Sequence, residues 1–248
     1  MVKFLHNQVL GVPPTLSSRA TALPGLRFPA IPAEALLPLT AALLVTVPVF
    51  LQAPWVRMAP MSAALFTVPM MAMALLLERR GQGQWQQLGV LLVGFCGSWL
   101  GGCLFWGWFR LHPVMHLPIE AFALPLAVAG LGGRWRLAGA FYLGSLVGTA
   151  STDGVIAAAG LMDLWPQVLN APLAEAPLLL QGAAIQVLHP LPMTLVGLTA
   201  SLLVLVCRRL WNQGGPWRVV AAALGTTLAV DGLFLGAALL APQLSGLI

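Results

Sequence analysis

The chain has 248 residues, of which 59% are hydrophobic and 8% charged, with a net charge of +5. A soluble domain carries about 25% charged residues. This scarcity of charge, with a mean hydropathy of +0.89, excludes an ordinary soluble protein and points to a multi-spanning membrane protein. The positive balance does not imply nucleic acid, because no RNA- or DNA-binding motif is present and the basic residues bracket apolar runs as membrane-anchoring charges do.

Lys3 and His6 precede only a short apolar patch, residues 11–34 are rich in Pro, Ser, Thr and Arg, and 1–34 reads as a flexible N-terminal tail rather than a cleavable signal. A single transmembrane helical domain follows over 35–240. Its apolar runs predict spans at 35–51, 58–77, 88–109, 114–131, 135–160, 190–207 and 217–240, most near the ~20 residues a crossing needs. Tryptophans 55, 85, 106, 108, 135, 165, 211 and 217 fall at or near run ends, as an interfacial aromatic belt, and Trp99 alone is central.

Segment 172–189 is apolar enough to suggest an eighth span, and basic-residue counting argues against it. With seven spans, ten Lys and Arg residues fall on one side and Arg57 and Arg110 on the other; an eighth span blurs this to seven against five. The positive-inside rule then gives a cytoplasmic N-terminus, an outside or lumenal C-terminus, and an interfacial or re-entrant helix over 172–189 on the outer face.

Three runs carry small-xxx-small pairs: Gly97 with Gly101, Gly144 with Gly148, and Gly232 with Gly236. In lipid these mark close helix approach. Cys96 and Cys103 share a helix face about 10 Å apart, too far for a disulfide, and with Cys207 they read as small buried hydrophobes.

The stretch WGWFRLHPVMHLPIE at 106–120 gathers Arg110, His112, His116 and Glu120. In a seven-span arrangement Glu120, Asp153 and Asp231 come to similar depth, roughly 10–13 Å inside the outer boundary by helical rise, with His112, His116 and His189 just above. A carboxylate within a membrane costs about 2.5–3.5 kcal/mol even on the lenient insertion scale, so these residues require partners. Arg110, His112, His116, Glu120, Asp153, His189 and Asp231 are therefore the candidates for a ligand or proton site.

The bland reading stands beside that one. Glu120 caps a helix that starts at Pro118, Arg110 pairs with Glu120 or Asp153 to join helices, and Asp231 bonds Thr226 or Thr227 in its own helix. His112, His116 and Glu120 have i, i+4, i+8 spacing, but Pro113 and Pro118 interrupt the ladder and no metal is assigned. No GxSxG, Walker A, DDxxD or paired-cysteine signature is present, so no catalytic residue is assigned. The GTASTD run at 148–153 reads as helix-helix hydrogen bonding.

The stretches VPVFLQAPWVR (47–57), GSWLGGCLFWGWFRLHPVMHLPIEAFALPLA (97–127), FYLGSLVGTASTD (141–153) and VDGLF (230–234) resemble a family of cyanobacterial and plastid-lineage multi-spanning membrane proteins grouped as a domain of unknown function. The resemblance implies a thylakoid or plasma membrane and no established activity. The sequence thus predicts an all-α polytopic bundle of about seven transmembrane helices with one interfacial or re-entrant helix. Its partners are the lipid bilayer and a larger membrane protein complex, with no nucleic acid, and its cofactors are unknown. Two functions stay open: a non-enzymatic assembly, scaffold or accessory component, and a small-ligand, ion or proton binding or transport protein. An intramembrane enzyme is the third choice.

Overall fold

The computed structural model describes residues 33–244. The tail expected over 1–34 lies outside them except for Ala33 and Glu34, which already belong to the first helix. The described residues are helical and contain no strand. In chain order they are α1 (Ala33–Val47), a π turn (Pro48–Gln52), α2 (Ala53–Met58), α3 (Pro60–Leu65), α4 (Thr67–Arg80) and α5 (Gln84–Leu104). A second π turn (Phe105–Phe109) and a 3-10 turn (Pro113–Met115) lead to α6 (His116–Glu120) and α7 (Leu124–Gly130). Then come α8 (Arg136–Ala158), α9 (Leu164–Asn170), α10 (Ala176–Val187), α11 (Pro190–Gln213), α12 (Pro216–Leu240) and a last 3-10 turn (Pro242–Leu244).

Among the described residues, six helical stretches are long and apolar enough to cross a membrane: Glu34–Met58, Pro60–Arg80, Gln84–Phe109, Pro113–Gly130, Pro190–Gln213 and Pro216–Leu240. Their ends run past the hydropathy boundaries because polar residues such as Gln84, Arg79 and Arg80 remain helical. The run expected to end at 51 continues to Met58, since Pro48 and Pro54 each sit in a first turn, where a missing N–H costs nothing.

The predicted span at 135–160 forms as α8, 23 residues long, about 35 Å by rise. It is not among the six because Tyr142, Ser145, Thr149, Ser151, Thr152 and Asp153 dilute its apolarity. The physical reason is position: α8 packs against α5, α7 and α12, so its polar groups meet protein instead of lipid. Segment 172–189 forms α10, whose 12 residues reach only about 18 Å against a hydrocarbon core of about 30 Å.

α5 is the axis of the bundle. In its most apolar stretch 61% of residues are buried, against none in that of α11. Leu91, Phe95, Cys96, Trp99 and Cys103 of α5 pack with Phe141 of α8, Val219 and Ala223 of α12, and Ala41 and Leu44 of α1. Glycine makes this possible. A Cβ on Gly94 would strike the backbone of Ala138, and one on Gly89 the backbone of α4 at Glu78. Trp99 is buried as its central position predicts, and its Nε1 donates to the Ala63 carbonyl at 3.0 Å. The π turn at Pro48–Gln52 carries Gln52 into the core, where its Nε2 donates to the Trp99 carbonyl at 2.5 Å and to Cys103 Sγ at 2.9 Å.

Two ion pairs tie helix ends. Arg218 on α12 meets Glu34 on α1 at 3.1 Å, and Arg134 meets the buried Glu78 of α4 at 3.7 Å.

Candidate functional site

The fourth span is broken. The stretch that begins at Pro113 is a 3-10 turn, then the single turn of α6, then a non-helical link at 121–123 before α7. Broken backbone at membrane depth requires substitute hydrogen bonds. Tyr142 of α8 supplies them: its hydroxyl accepts from the Ala123 N–H at 3.1 Å and donates to the Glu120 carbonyl. Gly101 of α5 lets this break sit close, since a Cβ there would lie 3.2 Å from the Glu120 Cα.

α6 places His116 and Glu120 at i and i+4, on one face. The imidazole is held from both sides. Its Nδ1 lies 3.0 Å from Asp153 Oδ2 on α8, and its Nε2 lies 3.3 Å from Glu120 Oε1. A neutral imidazole donates through one nitrogen only. Both contacts are hydrogen bonds only when a proton sits on each ring nitrogen or on a facing carboxyl group.

Three aromatic rings wall the imidazole. Phe105 stacks on it with ring centres 4.1 Å apart, and Trp106 and Trp165 approach at 6.2 and 5.9 Å. Trp106 and Trp165 stack on each other at 5.6 Å, and Trp165 Nε1 donates to the Arg110 carbonyl at 2.8 Å. The π turn at Phe105–Phe109 brings Phe105 into the interior at the end of α5. Such turns recur at functional sites because they re-aim side chains. His116 and Asp153 are each only 8% exposed.

A second polar contact adjoins the first. Thr152 Oγ1 lies 2.5 Å from Asp231 Oδ2 on α12, one residue along the chain from Asp153. The sequence places Asp231 against Thr226 or Thr227; the structure instead joins it to α8, and Thr227 bonds the Ala223 carbonyl of its own helix at 3.1 Å. The GTASTD run thus makes two interhelical contacts, through Thr152 to α12 and through Asp153 to α6, whereas Ser151 returns to the Val147 carbonyl at 2.7 Å.

Of the seven sequence candidates, His116, Glu120 and Asp153 form one cluster and Asp231 adjoins it through Thr152. Arg110 does not pair with Glu120 or Asp153; its side chain is exposed and makes no ion pair among the described residues, so only its carbonyl takes part. His112 is exposed and separated from His116 by the 3-10 turn, so the i, i+4, i+8 ladder does not form. Among the described residues no group of three His, Cys, Asp or Glu is arranged to hold a metal. His189 is exposed at the start of α11 and makes no hydrogen bond or ion pair with His116, Glu120 or Asp153.

A Cβ on Gly97 would lie 3.2 Å from the Tyr142 ring, one on Gly144 3.1 Å from the Val220 Cα, and one on Gly148 2.8 Å from the Thr227 side chain. Nothing lies within 4 Å of a Cβ placed on Gly232 or Gly236, so neither makes the close approach that Gly144 and Gly148 make. Sequence reasoning missed Gly94, Phe105, Trp106, Trp165 and Tyr142. Tyr142 had a signal, as the one tyrosine of the chain, placed within an apolar run.

Residues 41–239 match a family described as a protein of unknown function (DUF3120). No curated protein and no solved structure matches the chain.

Proposed function

The chain belongs to the DUF3120 family, whose description carries no activity, and from the site itself we propose a non-enzymatic accessory or assembly component of a membrane. In this reading the Glu120–His116–Asp153 cluster is a clasp that fixes α6 to α8 at one end of the bundle. The observation that carries it is saturation: both imidazole nitrogens face carboxylates, at 3.0 and 3.3 Å, under a cover of three rings. No ring nitrogen is left to bind or activate a substrate. In this proposal α8 crosses as well and brings the six spans to seven, the basic asymmetry puts the N-terminus in the cytoplasm and the clasp at the outer face, and the resemblance supplies a cyanobacterial thylakoid or plasma membrane.

The test is purification of the tagged chain and of its His116→Phe variant from native membranes in mild detergent. Wild type should carry a membrane protein at fixed stoichiometry, and the folded variant should lose it. A wild-type chain that purifies alone overturns the proposal.

One observation favours a second reading, a cation or proton site. Glu120 and Asp153 set two carboxylates against one imidazole, Asp231 adjoins Asp153 through Thr152, and Arg110 pairs with none of the three. Like charges in a low-dielectric layer repel strongly, so the surplus is relieved by bound protons or a cation. Melting temperatures measured against pH and added Na+, K+ and Ca2+ distinguish the two. A saturable stabilisation, which follows RT ln(1 + [L]/Kd), that disappears in Asp153→Asn supports the cation site, and its absence supports the clasp.

A further inference from the structure

A cleft of about 410 Å³ opens between the C-terminal end of α11 and the first turns of α12, lined by Cys207, Arg208, Trp211, Asn212 and Ala221. We propose that this cleft holds the phosphodiester headgroup of an anionic phospholipid, with Arg208 and Asn212 as its donors. It lies apart from the His116 cluster and stands whatever that cluster does.

The spacing is the first support. Arg208, Trp211 and Asn212 fall at i, i+3 and i+4, so they share one face of α11. Four and three residues earlier, on the same face, are Val204 and Leu205, which are 48% and 61% exposed. The face therefore passes from aliphatic to cationic and amide within about two turns. That is the polarity profile of a phospholipid, chains below and phosphate above. Arg side chains at such depths bury their stems and present the charged head to the interface, and a guanidinium matches two phosphate oxygens at once.

The second support is that the donors are unspent. Among the described residues the guanidinium of Arg208 and the amide of Asn212 make no hydrogen bond or ion pair, and neither does the Trp211 indole N–H. The neighbouring Arg218 differs: it is committed to Glu34 at 3.1 Å and to the Trp211 carbonyl at 3.3 Å.

Charge and volume select the ligand. Of Arg208, Arg209 and Arg218 only Arg218 has an acidic partner among the described residues, Glu34, an excess of positive charge that draws an anionic lipid more than a zwitterionic one. A bare phosphate is far smaller than 410 Å³ and offers nothing to the aliphatic face below. Nothing in α11 is buried, so a lipid reaches the cleft laterally without moving another helix.

The experiment uses the full chain, delipidated in detergent and titrated with phosphatidylglycerol or phosphatidylcholine, with bound lipid counted by native mass spectrometry. Wild type should bind one phosphatidylglycerol saturably and phosphatidylcholine much more weakly. Arg208→Gln should weaken phosphatidylglycerol binding roughly tenfold, the loss of one charge-assisted phosphate contact. Arg209→Gln, an equal charge change outside the cleft lining, should stay within about twofold of wild type. Asn212→Leu, which keeps every charge, should also weaken binding. Inorganic phosphate at millimolar concentration should not compete. Equal losses in Arg208→Gln and Arg209→Gln overturn the proposal in favour of unspecific charge attraction. Competition by phosphate overturns it in favour of a free-anion site, and equal binding of both lipids overturns the headgroup selection.

Discussion

His116→Phe is the sharpest perturbation of the cluster. Phenylalanine keeps a ring of similar size, so stacking on Phe105, worth about 0.5–1.5 kcal/mol, survives. What it removes is both ring nitrogens, leaving Glu120 and Asp153 facing an apolar edge with side chains 19% and 10% exposed. Taking one partner from a buried ionic set costs about 3–5 kcal/mol. For a chain of this size 1 kcal/mol moves a melting midpoint by roughly 2–4 °C, so a fall of about 6–20 °C follows. Asp153→Asn is milder, because its amide oxygen still accepts from Nδ1; exchanging a charged for a neutral acceptor costs about 1–2 kcal/mol. Adding Glu120→Leu and Asp153→Leu to His116→Phe leaves nothing ionised unpaired, and such apolar replacement is often neutral or stabilising. The assay is intrinsic-fluorescence melting in one detergent at one pH. A His116→Phe midpoint within about 2 °C of wild type refutes the clasp, as does a triple variant less stable than the single one.

Other positions carry their own expectations. Tyr142→Phe strands the Glu120 carbonyl and the Ala123 amide at the helix break and should cost about 1–3 kcal/mol in the same melt. Gly148→Leu collides with Thr227, 2.8 Å from a Cβ, and should cost at least about 1–3 kcal/mol, whereas Gly236→Ala should stay within about 0.5 kcal/mol. Asp231→Asn retains an acceptor for Thr152 and removes one of three neighbouring acidic groups; its midpoint should equal or exceed that of wild type, measured beside Asp153→Asn. Reporter fusions at both ends should report opposite sides of the membrane; the same side at both ends refutes seven crossings.

The membrane class was legible because bilayer hydropathy acts on every residue of a run. Helix ends were less so, since Arg79, Arg80 and Gln84 stay helical while leaving the apolar layer. α8 shows the limit of composition: Tyr142, Thr152 and Asp153 make it too polar for a lipid-facing helix, and only its neighbours α5, α7 and α12 explain that. The partners of Glu120 and Asp153 were legible as a need and not as a pairing. Helical rise set the depth, but rotation about the axis decides contact, and the 3-10 turn at Pro113–Met115 separates His112 from His116. Gly144 and Gly236 have the same sequence motif, yet one meets Val220 and the other nothing, because a motif does not specify which face the neighbour occupies. Trp165 reads equally well as a belt residue; its place beside His116 depends on a fold of the chain fifty residues long.

The clasp is one imidazole held between two carboxylates inside a membrane. Solid-state NMR on the chain in lipid bilayers, with 15N-labelled histidine and 13C-labelled Asp and Glu side chains, measures this through nitrogen-to-carboxyl dipolar couplings. Only four histidines are present, and a His116→Phe sample identifies the relevant signals. Both ring nitrogens of His116 should couple to carboxyl carbons, at separations set by nitrogen-oxygen distances of 3.0 Å to Asp153 and 3.3 Å to Glu120. Coupling from only one ring nitrogen, or from neither, contradicts the clasp.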